Sequence, residues 1–163
     1  MSKKVVMNNV EVTIQIWDTA GQERFLQGSL GSSFYRGAHG ALLVYDVTNE
    51  SSFEQIAQWR DECLFHKSDD HFFPIVVIGN KTDLRTEIIN DEDNQILSWC
   101  RDQSYGHIET SAKDGVGVEA AMLAITCLAL EAKRDAKKHG SKAISGEKVD
   151  LNKMFEPKKR DCC

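Results

Sequence analysis

Three short strings along the chain carry the residue types of a nucleotide site: Asp18-Thr19-Ala20-Gly21-Gln22, Asn80-Lys81-Thr82-Asp83 and Glu109-Thr110-Ser111-Ala112-Lys113. Asp83 carries the sharpest chemistry. A carboxylate has two acceptor oxygens and takes both N1–H and N2–H from the edge of guanine, whereas adenine presents an acceptor where guanine has N1–H. Such a site rejects the wrong base strongly, because a mismatch leaves a polar group unpaired. Asn80 and Lys81 are placed to brace the ring, and the backbone amide of Ala112, between Ser111 and Lys113, to meet guanine O6. On the phosphate side, Asp18 suits an aspartate that holds Mg²⁺ through water. After Thr19 and Ala20, Gly21 lets a backbone N–H approach a γ-phosphate, and Gln22 is placed to orient an attacking water. Each string alone also reads as an ordinary polar turn. Their order and spacing raise the set above that reading.

The strings need a frame that brings them together. Val10 to Trp17 alternates, with Val12, Ile14 and Ile16 on one face, as a half-buried strand does. Ala41 to Val47 (ALLVYDV) and Ile75 to Gly79 (IVVIG) are nearly continuous apolar runs, as in parallel strands covered on both faces. Ser51-Ser52-Phe53-Glu54 fits a capping box, opening a helix with Phe53, Ile56, Ala57, Cys63 and Leu64 on one face. Asn90 or Asp91 can cap a helix carrying Ile96, Leu97, Trp99 and Cys100. A short strand from about Tyr105 closes at Glu109-Thr110. Val118, Ala121, Met122, Ile125 and Leu128 form the stripe of a last helix ending near Lys133. Strands alternating with helices predict an α/β fold with a doubly wound, mostly parallel sheet. In that fold ligands sit at the carboxyl ends of the strands, so all three strings are expected along one edge.

The chain reads as one domain over 1–134 and a flexible basic tail over 135–163. Residues 1–131 hold 10 Lys/Arg against 20 Asp/Glu, a net charge of −10, and residues 132–163 hold 10 against 5, a net +5. A basic tail on an acidic body suggests an anionic partner for the tail, most simply a membrane surface, and no nucleic-acid partner is expected. No apolar signal core follows Met1-Ser2-Lys3-Lys4. The longest apolar stretch, Met122 to Leu130, is about half of what a bilayer crossing needs. Cys63, Cys100 and Cys127 fall in helix-like segments without metal-ligand spacing and read as thiols of a reduced compartment. The five histidines, including His66 and His107, show no metal spacing either. Phe34 and Tyr35 beside Arg36 suit either a partner surface or packing against the sheet.

WDTAGQERF, FYRGA, LLVYDVT, FEQIAQWRDE, GNKTDL and ETSAK together resemble the Ras superfamily, and its Rab branch most closely. Around the Trp99-Cys100 pair the wording is most similar to late-endosomal and lysosomal Rab members. The resemblance covers roughly residues 3–133. It implies a G domain of the P-loop NTPase class, GTP or GDP with Mg²⁺ as ligand, slow GTP hydrolysis with Gln22 in the catalytic role, and a switch function in vesicle traffic. Effectors and regulators are then expected at the second switch, on the cytoplasmic face of endosomal, lysosomal or other vesicle membranes. The resemblance also gives Cys162 and Cys163 a role, since Rab chains often end in two cysteines that a prenyltransferase modifies with the help of an escort protein. Two lipid chains are what stable anchoring requires, with Lys158, Lys159 and Arg160 adding roughly 1 kcal/mol each near an anionic surface.

The pattern departs from the family in one large respect. No G-x-x-x-x-G-K-[ST] string occurs in the 163 residues, so the backbone nest, lysine and hydroxyl that bind phosphates and Mg²⁺ have no counterpart. The resemblance therefore implies an N-terminally incomplete domain without its central first strand, leaving two strand edges unpaired. Leu26–Ser33 also reads about two residues longer than the corresponding switch. Two readings stay open: an enzyme-switch, or a non-catalytic protein, poor in nucleotide, that binds Rab partners or the prenylation machinery.

Overall fold

Ile75–Asn80 (β4) is buried at five of its six positions, because it has a strand on each side and helices over both faces. In the computed structural model of the chain, residues 1–7, 10–19, 35, 37–66, 72–85 and 95–139 are described. Ala41–Asp46 (β3) pairs parallel with one edge of β4 and Gly106–Glu109 (β5) with the other, giving the sheet order β3-β4-β5. The helices Glu50–Glu54 (α1), Ile56–His66 (α2), Gln95–Asp102 (α3) and Val118–His139 (α4) complete the alternation.

Period-two alternation sends successive residues of each strand to opposite faces. Leu43, Tyr45, Ile75 and Val77 pack with Ile56, Cys63 and Cys100 of α2 and α3. Val76 and Ile78 pack with Ala121 and Leu128 of α4, joined by Leu42, Ile108 and Ile125. Helices on both faces make the sheet doubly wound, as expected. Each Val, Ile or Leu buried in these two layers contributes about 1.5–3 kcal/mol relative to exposure. Cys63 and Cys100 are buried free thiols, pushed up to about 11 by burial.

Three features differ from expectation. First, Val10–Gln15 (β2) has the expected alternation, but it pairs antiparallel with Ser2–Met7 (β1), a strand missed in the sequence reading. The two form a sheet of their own, with β1-β2 and β3-β4-β5 sharing no strand. Met7 faces Val10 in the register. Second, there is no capping box at Ser51. The helix N-cap of α1 lies two residues earlier, at Asn49, whose side chain makes no cap hydrogen bond. Ser52 is diverted instead: its Oγ accepts from the Asp46 backbone N–H at 2.9 Å and donates to Asn49 O at 2.6 Å. Third, α4 continues past Lys133 to His139. Ala132, Lys133, Arg134, Ala136 and Lys137 are all good helix formers, and the next glycine in the sequence is Gly140. The proposed caps Asn90 and Asp91, the Leu26–Ser33 segment and residues 140–163 with Cys162 and Cys163 lie outside the described residues.

Tyr35 is buried and stacks on His66 with ring centroids 5.4 Å apart, so of its two readings the structure takes packing. Phe34 and Arg36 lie outside the described residues. Among the described residues no helix is long and apolar enough to cross a membrane.

Candidate functional site

Two of the three strings meet where β4 and β5 end. Because these strands are parallel and adjacent, with Gly79 opposite Glu109, the loops leaving them run side by side. Thr110 N–H donates to Gly79 O at 2.8 Å and Thr82 N–H to Thr110 O at 3.1 Å, which continues the ladder one step beyond the sheet. Gly79 itself is fixed by packing. A Cβ there would lie 2.8 Å from the Tyr45 hydroxyl oxygen, and that hydroxyl lies 3.0 Å from His107 Nε2 on β5.

Side chains then cross between the loops. Asn80 Oδ1 accepts from the Ala112 backbone N–H at 3.0 Å and from the Thr110 hydroxyl at 3.2 Å. Ser111 Oγ donates to Asp83 Oδ1 at 2.7 Å and accepts from Asp114 N–H at 3.1 Å. Lys113 Nζ stands 3.7 Å from Asp83 Oδ2. Thr110 and Ser111 are buried, so their hydroxyls need these partners. The Ser111 hydroxyl first, and Lys113 after it, hold the Asp83 carboxyl below the usual carboxylate range. Asp83 is thus ionised at neutral pH and acts as an acceptor only. Each carboxylate oxygen keeps acceptor capacity after these contacts.

Lys81 has left-handed backbone, φ +70°, uncommon for a residue with a side chain. Its Nζ lies 2.6 Å from Asp46 Oδ2 at the end of β3. Asp46 also accepts from Thr48 N–H at 2.9 Å and from the Thr48 hydroxyl at 2.6 Å. Hydrogen bonds from Lys81 and Thr48 bring its carboxyl down to about 2. Asp46 and Thr110 are the residues that sequence reasoning missed. The only available signal for Asp46 was a lone acidic residue closing an apolar strand.

Two expectations change here. The Ala112 amide, assigned to a base oxygen, is already bonded to Asn80, so a ligand oxygen must share that hydrogen. The three strings also do not follow strands of one sheet: Asp18 and Thr19 come after β2, which is bonded only to β1. No strand among the described residues joins β2 to β3, so backbone pairing does not carry Asp18 to the edge holding Asp83. Asp18 and Thr19 are exposed. Ala20, Gly21 and Gln22 lie outside the described residues. No group of three or more His, Cys, Asp or Glu side chains gathers among the described residues.

A family model described as the Ras family matches residues 1–131. Over 139 residues the chain is 48% identical to Ras-related protein Rab7 of Drosophila melanogaster, covering 83% of this chain and 65% of that protein. It is 44% identical over 168 residues to the Ypt/Rab-type GTPase avaA of Emericella nidulans, covering 100% of this chain and 77% of that protein. It is 40% identical over 166 residues to the GTP-binding protein yptV5 of Volvox carteri, covering 100% and 78%. The chain spans about two thirds of the length of the Drosophila relative it matches.

Proposed function

The chain belongs to the Ras family of small GTPases, in its Rab branch, and from that premise we propose a guanine-nucleotide switch of vesicle traffic that carries its purine-recognition half at the ends of β4 and β5. The observation that carries the reading is the cross-loop pairing of Ser111 with Asp83 and of Ala112 with Asn80. An ionised Asp83 is the acceptor that N1–H and N2–H of guanine require. Ser111 fixes the rotation of that carboxylate, Asn80 ties the second loop to the first, and the Lys81 stem braces the ring while Asp46 holds its ammonium. Lys113, largely exposed beside Asp83, covers the ring from the other loop.

On the phosphate side, Gly21 senses the γ-phosphate and Gln22 orients the attacking water for a slow hydrolysis. Mg²⁺ would be held by Asp18 through water. A single exposed carboxylate fits a divalent ion only when the phosphates and water supply the remaining oxygens, which is how Mg²⁺ is commonly bound. The ion would supply neutralisation of the phosphate charge. The tail supplies the membrane link: prenyl groups on Cys162 and Cys163, added by a prenyltransferase with an escort protein, place the switch on endosomal or other vesicle membranes, where effectors read its second switch region.

A second reading is favoured by the separation of β1-β2 from β3-β4-β5. If the two sheets act apart, the chain binds nucleotide poorly and works by occupying Rab partners or the prenylation machinery. Titration of the 163-residue protein with GDP and ADP, followed by amide shifts, decides between them. The switch reading expects GDP alone to shift Ala112 and Lys113, with Asp83→Ala reducing GDP affinity by about 10–100-fold, the worth of a lost charged hydrogen bond. Absence of any GDP-specific shift at millimolar concentration overturns it in favour of the second reading.

A further inference from the structure

The two base-facing loops are tied together once more, away from the atoms that would meet a base. Arg85 follows the short 3₁₀ turn carrying Asp83, and its backbone N–H closes that turn on Thr82 O at 3.2 Å. Glu109 ends β5, immediately before Thr110 and Ser111. Arg85 Nη1 lies 2.7 Å from Glu109 Oε1 and 2.9 Å from Oε2. Glu109 is braced from behind, since Gly117 approaches so closely that a Cβ there would lie 2.2 Å from the Glu109 carbonyl oxygen. We propose that the Arg85–Glu109 pair is a positioning device that sets the gap between the loop carrying Asp83 and the loop carrying Ser111 and Ala112.

An ordinary surface ion pair would contribute little. This one differs in two ways. It bridges 24 residues of sequence between two functional loops, so its geometry is shared by everything the loops carry. It is also asymmetric. The Arg85 side chain is 22% exposed and its Nε is buried without a hydrogen-bond partner, whereas the Glu109 side chain is 43% exposed. Loss of Arg85 leaves a carboxylate that water can reach. Loss of Glu109 leaves a guanidinium that already has one unsatisfied nitrogen, and burying such a group is the costlier defect. Glu109→Ala therefore disturbs the loops more than Arg85→Ala, and the double substitution recovers part of the loss.

The inference takes its ligand from the base-recognition reading, but its loop geometry is testable without any nucleotide. The test is amide hydrogen exchange on the full 163-residue chain, followed by GDP titration of the same samples. In Glu109→Ala, exchange at Thr82, Thr110 and Ala112 should accelerate about tenfold or more while Val77 in β4 stays protected, the signature of local opening. Arg85→Ala should show a smaller effect and Arg85→Lys a smaller one again. The exchanged pair Arg85→Glu with Glu109→Arg should return exchange to within about threefold of the parent, as a coupled pair does. Should that pair misfold, the ordering of the three single variants carries the test. Equal acceleration at Val77 and at the loops, or no acceleration in Glu109→Ala, overturns the proposal. In the GDP arm, affinity should fall in the same order as loop protection. A parent chain without GDP shifts overturns the base reading alone, and the exchange arm still decides the positioning role.

Discussion

Lys81 and Asp46 meet at 2.6 Å, joining the loop after β4 to the last residue of β3. The lysine adopts left-handed backbone to make that reach, so the loop's conformation and the ion pair stand or fall together. A strained backbone of this sort persists only where its surroundings hold it, and here the carboxylate of Asp46, itself fixed by Thr48, is the holder.

Asp46→Asn tests that dependence through pH. The folded carboxyl sits at about 2, below its ordinary value of 3.8. A group depressed on folding adds stability above the unfolded value and loses it as pH falls through the folded one. Urea unfolding should therefore show Asp46→Asn weaker than the parent at neutral pH, with the difference shrinking between about pH 4 and 2. A difference that stays constant with pH would show that Asp46 acts by packing alone.

Gly117→Ala should be among the most damaging single-methyl changes in the chain. Its φ is +72°, and the new Cβ would meet the Glu109 carbonyl oxygen at 2.2 Å. The left-handed conformation alone costs about 1–3 kcal/mol for such a residue, and relieving the contact means moving the strand end that precedes Ser111. Gly115→Ala is the control. It shares a positive φ of +79° but has nothing within 4 Å, so it should lose only the roughly 1–3 kcal/mol of the conformation itself. Chemical denaturation of both variants checks the difference.

What could be read in the sequence followed from period and order. The buried runs at 41–47 and 75–79 and the α4 stripe at Val118, Ala121, Ile125 and Leu128 carry their burial in their spacing, so the doubly wound core was legible. The meeting of Asn80 and Asp83 with Ser111 and Ala112 was also legible, because parallel neighbours end on the same side. Three things were not. Residues Ser2–Met7 begin with exposed lysines, and only cross-strand pairing makes them a strand. Ser52 looked like part of a cap because its partner, the Asp46 backbone, depends on where β3 stops. The placement of Asp18 depended on which strand pairs with β2, and strand partners are not written in a strand's own residues.

All three tyrosines of the chain are raised above their ordinary 10.0, Tyr35 and Tyr45 to about 12, with burial as the leading cause. The folded protein should therefore develop little tyrosinate absorbance at a pH where free tyrosine is half ionised. A phenol raised on folding stabilises below its unfolded value, and that contribution is lost as pH rises toward about 12. Alkaline unfolding should accordingly release all three phenols together, and Tyr45→Phe should flatten part of the fall in stability above pH 10. Its effect at neutral pH is separate. There the variant loses the contact between the Tyr45 hydroxyl and His107, worth about 1 kcal/mol.

Val44 lies on β3 between two buried neighbours, Leu43 and Tyr45, yet it is 56% exposed. Among the described residues β3 has a strand partner on the β4 side only, so the backbone groups of Leu42 and Val44 that point away from β4 lie along an edge. An apolar residue on an open edge invites strand pairing between copies and hence aggregation. Charged residues at such positions are how edges are ordinarily protected. Val44→Glu should therefore leave unfolding free energy within about 0.5 kcal/mol of the parent, as exposed substitutions do, while static light scattering at raised concentration falls. Val77, fully buried on the adjacent strand β4, supplies the contrast: Val77→Ala should cost roughly 2 kcal/mol or more and increase scattering by populating unfolded chains. If Val44→Glu destabilises as much as Val77→Ala, the outer edge of β3 is covered in solution, and its exposure along this strand is not that of an open edge.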